Sequence, residues 1–224
     1  VSGGGGVPSS FVESDLSGYE PYTGENYPDL IGHWRLDENE DGHLVCDISG
    51  SVNDGASTDA TRSLHTDGRL DGAFLFSGAQ RVTVPDAPQH AFGGGDFSIS
   101  VWAKIGGFVY QNSAWNCLLS KGLVSGQTQA FWGLYVDRSN RVYFTVGNDD
   151  YYARSDRALN DGRYHHLARV REGGVLYLYV DGVLQQTVGF SEVDVSSTSD
   201  LIMGADALQQ RYFYGCLDDV RLYG

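Results

Sequence analysis

Leu159-Asn-Asp-Gly-Arg-Tyr-His-His-Leu-Ala-Arg-Val-Arg171, continued after Glu172-Gly-Gly174 by Val175-Leu-Tyr-Leu-Tyr-Val-Asp-Gly-Val-Leu184, is the stretch that decides the fold. Two alternating runs meet across Gly-Gly, and the second meets Gln185-Gln-Thr-Val-Gly-Phe190 across Asp181-Gly182. Alternation sends every second side chain to one face of a pleated sheet, and Asp-Gly or Gly-Gly supplies the positive φ of a tight hairpin. The chain therefore builds a twisted antiparallel sheet.

Working outward, the same texture recurs. Strands are expected around 30–37, 72–77, 80–84, 96–105, 116–121, 130–136, 141–146, 150–155, 164–171, 174–181, 184–190, 200–204 and 212–223. Gly, Asn or Asp separates most of them. Helical periodicity is lacking apart from one turn near Pro88–His90. Turn signals at such short intervals suit an all-β, two-sheet antiparallel β-sandwich of jelly-roll type. Residues 1–29 open Val-Ser-Gly-Gly-Gly-Gly and read as a Gly-rich N-terminal linker, with the folded domain spanning 30–224.

Composition narrows the function. The 224 residues carry a formal charge of −14, and residues 1–60 hold twelve acids against one base, Arg35. That field disfavours nucleic acid and anionic lipid. No run approaches the roughly 18 apolar residues of a membrane helix, so no membrane insertion is expected. Cys46, Cys117 and Cys216 are an odd count without zinc-ligand spacing, which leaves both one disulfide plus a thiol and three unpaired thiols open.

Several ordered motifs resemble a known family. They run from Gly32-His-Trp-Arg-Leu-Asp-Glu38, Asp47-Ile-Ser-Gly50 and Asn53-Asp-Gly55 through Ala73-Phe-Leu-Phe-Ser-Gly78 and Val82-Thr-Val-Pro-Asp86. Phe97-Ser-Ile-Ser-Val-Trp-Ala-Lys104, Leu118-Leu-Ser-Lys-Gly122, Trp132-Gly-Leu-Tyr135 and Asp161-Gly-Arg-Tyr-His-His166 follow, and Gly215-Cys-Leu-Asp-Asp-Val-Arg-Leu-Tyr223 closes the set. Together they resemble laminin-G-like jelly rolls of the concanavalin-A-like lectin/glucanase superfamily. The resemblance speaks for fold more than function, since this fold hosts lectins, adhesion domains and enzymes.

Asp37-Glu-Asn-Glu-Asp-Gly42 reads as half of a calcium loop, but its twelfth position is Ile48, which rejects an EF-hand. The resemblance implies instead a structural calcium where the first and last strands meet. Carried over, its ligands are Asp37, Glu38, Asn53, Asp54, Asp218 and Asp219. The alternative is a solvated acidic loop in which Asp218 pairs Arg221 or Arg35.

A catalytic set is not expected. Glu192-Val-Asp194 lacks the third acid of a glucanase signature, and His165 and His166 are neighbours on a strand and so face opposite ways. Ser120 and Ser125 have no nucleophile elbow. Trp34, Trp102 and Trp132 read as core.

The remaining aromatics are a resource for stacking on sugar rings. Tyr110 and Trp115 stand in a polar insertion, Tyr151 and Tyr152 follow Asn148, and Gln209, Gln210, Arg211 and Tyr212 form a polar-aromatic loop. These nine are the expected ligand-binding residues. The expected function is a non-catalytic carbohydrate-binding module, one part of a larger secreted or cell-surface protein, whose partner is a polysaccharide or oligosaccharide. An adhesion or protein-interaction domain is the alternative, and a polysaccharide lyase a third.

Overall fold

The computed structural model describes residues 27, 29–107, 114–122, 131–147, 151–189 and 193–224. In chain order the strands begin β1 (Leu30–Trp34), β2 (Leu44–Val45), β3 (Gly55–Ser57), β4 (His65–Asp67), β5 (Gly72–Ser77), β6 (Val82–Val84), β7 (Phe97–Ile105) and β8 (Trp115–Gly122). They continue β9 (Phe131–Asp137), β10 (Val142–Val146), β11 (Tyr151–Arg154), β12 (His165–Glu172), β13 (Val175–Val180), β14 (Val183–Gly189), β15 (Leu201–Met203) and β16 (Tyr214–Tyr223). A short helix, α1 (Thr61–Leu64), and a 3₁₀ turn at Pro88–His90 are the helical elements among the described residues.

Two antiparallel sheets stack face to face. One runs β14-β13-β12-β7-β16-β5-β4, with β1 paired to the second half of β16. The other runs β11-β10-β9-β8-β15-β6-β3-β2. At the deciding hairpin, Asp181 and Gly182 have φ of 52° and 75°, the left-handed pair that a two-residue turn between twisted strands needs. The β12–β13–β14 meander is thus the one read from the alternation.

The core lies between the sheets. Trp34, Phe74, Phe76, Phe97, Trp132, Phe144 and Leu217 meet there, each fully or almost fully buried. Burying side chains of this size contributes roughly 1.5–3 kcal/mol apiece. Alternation holds along β7, where Phe97, Ile99, Val101, Ala103 and Ile105 point inward. On β12 the inward set is His165, Leu167, Arg169 and Arg171. Arg171 donates to the carbonyls of Gly93 and Val193 at 3.1 and 2.9 Å. Arg169 lies against the rings of Phe97 and Phe144, and burial pushes its guanidinium well below its ordinary range.

Three expectations change. The 53–67 region contains β3, α1 and β4, because two- and three-residue strands leave no readable alternation. Trp102 is not core: with Val101 and Ala103 inward it faces out, where Arg69 lies over it at 5.0 Å and His166 packs at 5.1 Å. Asp218 pairs neither Arg221 nor Arg35; Asp219 pairs the first, and Asp37 and Asp71 the second. The three cysteines are free thiols. The expected linker lies almost wholly outside the described residues, as do Ser125 and Glu192.

Candidate functional site

The acid-rich region forms where β1 and β16 pair. A bulge in β16 between Asp218 and Arg221, with Asp219 at φ 53°, turns two successive carboxylates to different neighbours. Asp219 Oδ1 lies 2.6 Å from His33 Nε2, and Arg221 pairs its other oxygen at 3.0 Å. Burial would raise this carboxyl, but His33 and Arg221 outweigh it and hold it below the usual carboxylate range. Asp218 Oδ2 accepts the amides of Arg69 and Leu70 at 2.6 and 2.8 Å. Burial pushes Asp218 up to about 7, with repulsion from Asp219 and Asp37 working against the two amides that lower it.

The other expected cation ligands are similarly engaged. Asp37 pairs Arg35 at 2.6 Å and accepts the Gly72 amide, and burial raises its carboxyl. Glu38 Oε1 accepts the Cys46 amide. Asn53 donates to the Ile31 carbonyl and accepts from Gln89, so both ends of its amide are occupied. Asp54 accepts the Asp47 amide, and Asp47 in turn takes His33 N, Ser49 N, Ser49 Oγ and Asn53 N at 2.8–2.9 Å. Two buried carboxylate oxygens in this region, Glu38 Oε2 and Asp218 Oδ1, have no hydrogen-bond partner among the described residues. No three His, Cys, Asp or Glu side chains among those residues are grouped to hold a metal ion. As they stand, the six carried-over ligands brace loops against strands.

The second region is the outer face of β8–β11. Trp132, Leu134 and Val136 point into the core, so Phe131, Gly133, Tyr135 and Asp137 point away from it. Register then aligns Arg154, Tyr143, Tyr135 and Cys117 across four strands, with Trp115 beside Asp137 on the next rung. The rings touch in sequence. Tyr152 is 5.4 Å from Tyr143, Tyr143 is 4.8 Å from Trp115, Trp115 is 6.4 Å from Tyr135, and Tyr135 is 6.0 Å from Phe131. Edge-on and tilted contacts of this kind stabilise each pair by about 0.5–1.5 kcal/mol beyond area burial.

Gly133 is what lets Tyr135 lie down. A Cβ there would sit 2.4 Å from the Tyr135 ring, so only hydrogen leaves the ring room to cover the strand. Tyr135 is thereby buried, and burial, with the Cys117 thiol next to it, pushes its hydroxyl well above the ordinary value. Tyr152, by contrast, is 44% exposed.

Two cations border this row. The Arg154 guanidinium is 5.7 Å from the Tyr143 centroid and donates to Tyr143 Oη at 3.2 Å. The Arg211 guanidinium is 5.7 Å from the Tyr135 centroid. Its loop is tied down: Cys117 N donates to the Arg211 carbonyl, and Asp206 Oδ1 accepts the amides of Gln210 and Arg211.

Of the expected ligand-binding residues, Trp115, Tyr152 and Arg211 come together here. Gln209 and Gln210 are exposed on the Arg211 loop and Tyr212 is half-buried there. Tyr151 does not belong: it packs against the core, because it precedes Tyr152 on a strand and takes the opposite face. Tyr110 and Asn148 lie outside the described residues. Sequence reasoning missed Phe131, Tyr135 and Tyr143. The available signal was their alternation with Trp132, Leu134, Val142 and Phe144, which assigns them to one non-core face.

Comparison with known proteins agrees with this architecture. A family model of laminin G type, described as the concanavalin A-like lectin/glucanases superfamily, matches residues 76–224. No curated protein matches. Among solved structures, the binding domain of Paraclostridial mosquitocidal protein 1 superposes with a TM-score of 0.65 at 12% identity, over 88% of this chain and 49% of that one. Domain 4 of an extracellular arabinanase from Geobacillus stearothermophilus, in complex with arabinotriose, gives 0.61 at 17% identity, over 87% and 92%. Trypanosoma rangeli sialidase gives 0.61 at 16%, over 87% of this chain and 30% of the enzyme. The chain thus spans about half of the first and under a third of the last, and identities this low speak for shared fold.

Proposed function

This chain belongs to the concanavalin A-like lectin/glucanases superfamily, and we propose that it is a non-catalytic binding module taking a saccharide on the outer face of β8–β11. The observation that carries this reading is the contact chain of the exposed Tyr152 with the half-buried Tyr143 and Trp115, which rest on the buried rings of Tyr135 and Phe131. Sugars present apolar C–H faces to such rings and hydroxyls to the polar groups around them. The arabinotriose bound to a similarly folded domain supports the ligand class.

Among the described residues the carboxylates at this face are Asp137, which accepts Ser139 and Arg141, and Asp206, whose Oδ1 accepts two amides, and neither is paired with a second acid as a hydrolase requires. A lyase needs a group that readily loses its proton, and burial holds the Tyr135 hydroxyl protonated. With this reading goes an extracellular setting as one module of a larger protein, which the fold shared with a domain of an extracellular arabinanase supports.

The test is a titration of soluble oligosaccharides followed by tryptophan fluorescence, with Trp115→Phe separating the signal of this face from that of the core. Saturable change lost in the variant supports the proposal. A silent panel beside a saturable response to a protein ligand would replace it with an adhesion role.

Calcium at the β1–β16 junction is a separate proposal, supported by the open oxygens of Glu38 and Asp218 and by the hard oxygen ligands that calcium takes. Calcium should raise the melting temperature and EDTA lower it; identical values would remove the ion from the account.

A further inference from the structure

We propose that the guanidinium of Arg169, inside the sandwich, holds one small monovalent anion of the chloride type as its counter-ion. The inference is independent of the saccharide reading. Arg169 stands on the inward side of β12, with Ile99 of β7 and Leu178 of β13 as its register partners. Across the core its Cζ lies 2.9 Å from the Phe144 centroid and 4.9 Å from that of Phe97. The residue is 1% exposed, and Nε, Nη1 and Nη2 all lack a hydrogen-bond partner among the described residues.

A charge taken out of water needs a partner of opposite sign. The rings do not supply one. Guanidinium N–H bonds radiate in the plane of the group, so a ring over its face attracts the charge but accepts none of the donors. Among the described residues no carboxylate pairs with Arg169, and the charge that acts on it is the like-signed Arg171. Arg171 donates elsewhere, to the carbonyls of Gly93 and Val193. Trp132 Nε1, on a ring 5.8 Å from Phe97, is a second buried donor without an acceptor. The region is therefore rich in donors and poor in acceptors. Losing the proton is the costlier escape, since a guanidinium keeps it to about pH 12 and above. One negative charge balances one guanidinium, and close packing between the sheets favours a bare halide over a bulkier oxyanion. Phe144 follows Tyr143 on β10 and faces the other way, so the ion lies beneath the aromatic face and links β12 to β10.

The experiment uses the whole chain. Melting temperature is followed as sodium chloride replaces sodium gluconate at constant ionic strength, beside equilibrium dialysis against radioactive chloride. Chloride at about tenfold its dissociation constant should raise the melting temperature by roughly 3–6 °C, with a further logarithmic rise beyond. Dialysis should show one chloride retained per folded chain and none after unfolding in urea. Arg169→Met keeps an unbranched apolar stem without the charge. It should abolish both effects and melt at or above the parent in gluconate. Chloride retained equally by parent and variant, or a melting shift equal in both, would put the effect elsewhere and overturn the site. A parent that retains no chloride overturns it outright, and that result stands whether or not the variant folds. Bromide competing with chloride while sulfate does not would support the halide class; sulfate bound in preference would overturn the monovalent assignment.

Discussion

The acidic junction of β1 with β16 and the aromatic face of β8–β11 are both dense in groups that bind ligands, yet they are built for different ends. At the junction nearly every oxygen is turned inward. Asp47 closes the 47–53 loop with four bonds, Asp219 ties β16 to His33, and Asp218 holds the 69–70 amides. On the aromatic face the rings pack on one another with Tyr152 exposed and Tyr143 and Trp115 half-exposed, while guanidinium donors remain at both ends. Residue type announces a ligand site in both places. What separates them is whether the polar atoms already have partners.

Removing Asp47 probes the first half of that contrast most severely. Hydrogen bonds to a charged acceptor contribute roughly 1.5–3 kcal/mol each, and they do not add fully. Asp47→Ala should lower unfolding free energy by about 4 kcal/mol in urea denaturation. A loss below about 1 kcal/mol would mean the loop is held by something other than these bonds.

His90 sharpens the same half through pH. It is buried, neither ring nitrogen has a partner among the described residues, and burial first, then Lys121, lowers its pKa to about 4. Unfolded, the ring titrates near 6.5, so the unfolded chain binds the extra proton first as pH falls. Stability from a neutral His90 is therefore whole above pH ~6.5 and is lost as pH drops toward about 4. The cost should reach about 3 kcal/mol. His90→Leu should remove this component, so that the difference between variant and parent grows on acidification; a difference independent of pH would contradict it.

The aromatic half rests on Gly133. In Gly133→Ala the new methyl would collide with the Tyr135 ring, which cannot retreat without breaking its contacts with Trp115 and Phe131. Overpacking of this kind costs about 1–3 kcal/mol. A shifted Trp115 emission and weakened saccharide binding should accompany the loss. An unchanged spectrum would show that Tyr135 is not what positions Trp115.

Much of the sandwich was legible in the chain because period-2 alternation is strict where strands are long. Phe97–Ile105 and Val175–Val180 could be assigned to faces by inspection. In the structure the same alternation carries Arg169 to the inward side of β12, which the sequence reading did not assign. Short strands such as β2 and β3 left no such trace, since two or three residues carry no period. The site was half legible. Trp115, Tyr152 and Arg211 stood out as polar-loop aromatics and cations, whereas Tyr135 and Tyr143 were hidden inside strands as apparent core. Which of Tyr151 and Tyr152 faces outward depends on register with β10, and register is a property of the partner strand.

Tyr152 gives the gentlest test and the cleanest separation of the two regions. Its ring is the most exposed of the row and touches Tyr143 from one side, so truncation should change unfolding free energy by less than about 0.5 kcal/mol. Losing one stacking surface should nonetheless weaken saccharide binding by about 1 kcal/mol, roughly fivefold. Asp54→Asn, at the acidic junction, keeps an acceptor for the Asp47 amide and should leave that affinity untouched. If the two variants weakened binding alike, the saccharide would have to reach both regions. The distinction between a bracing junction and a binding face would then give way to one continuous site.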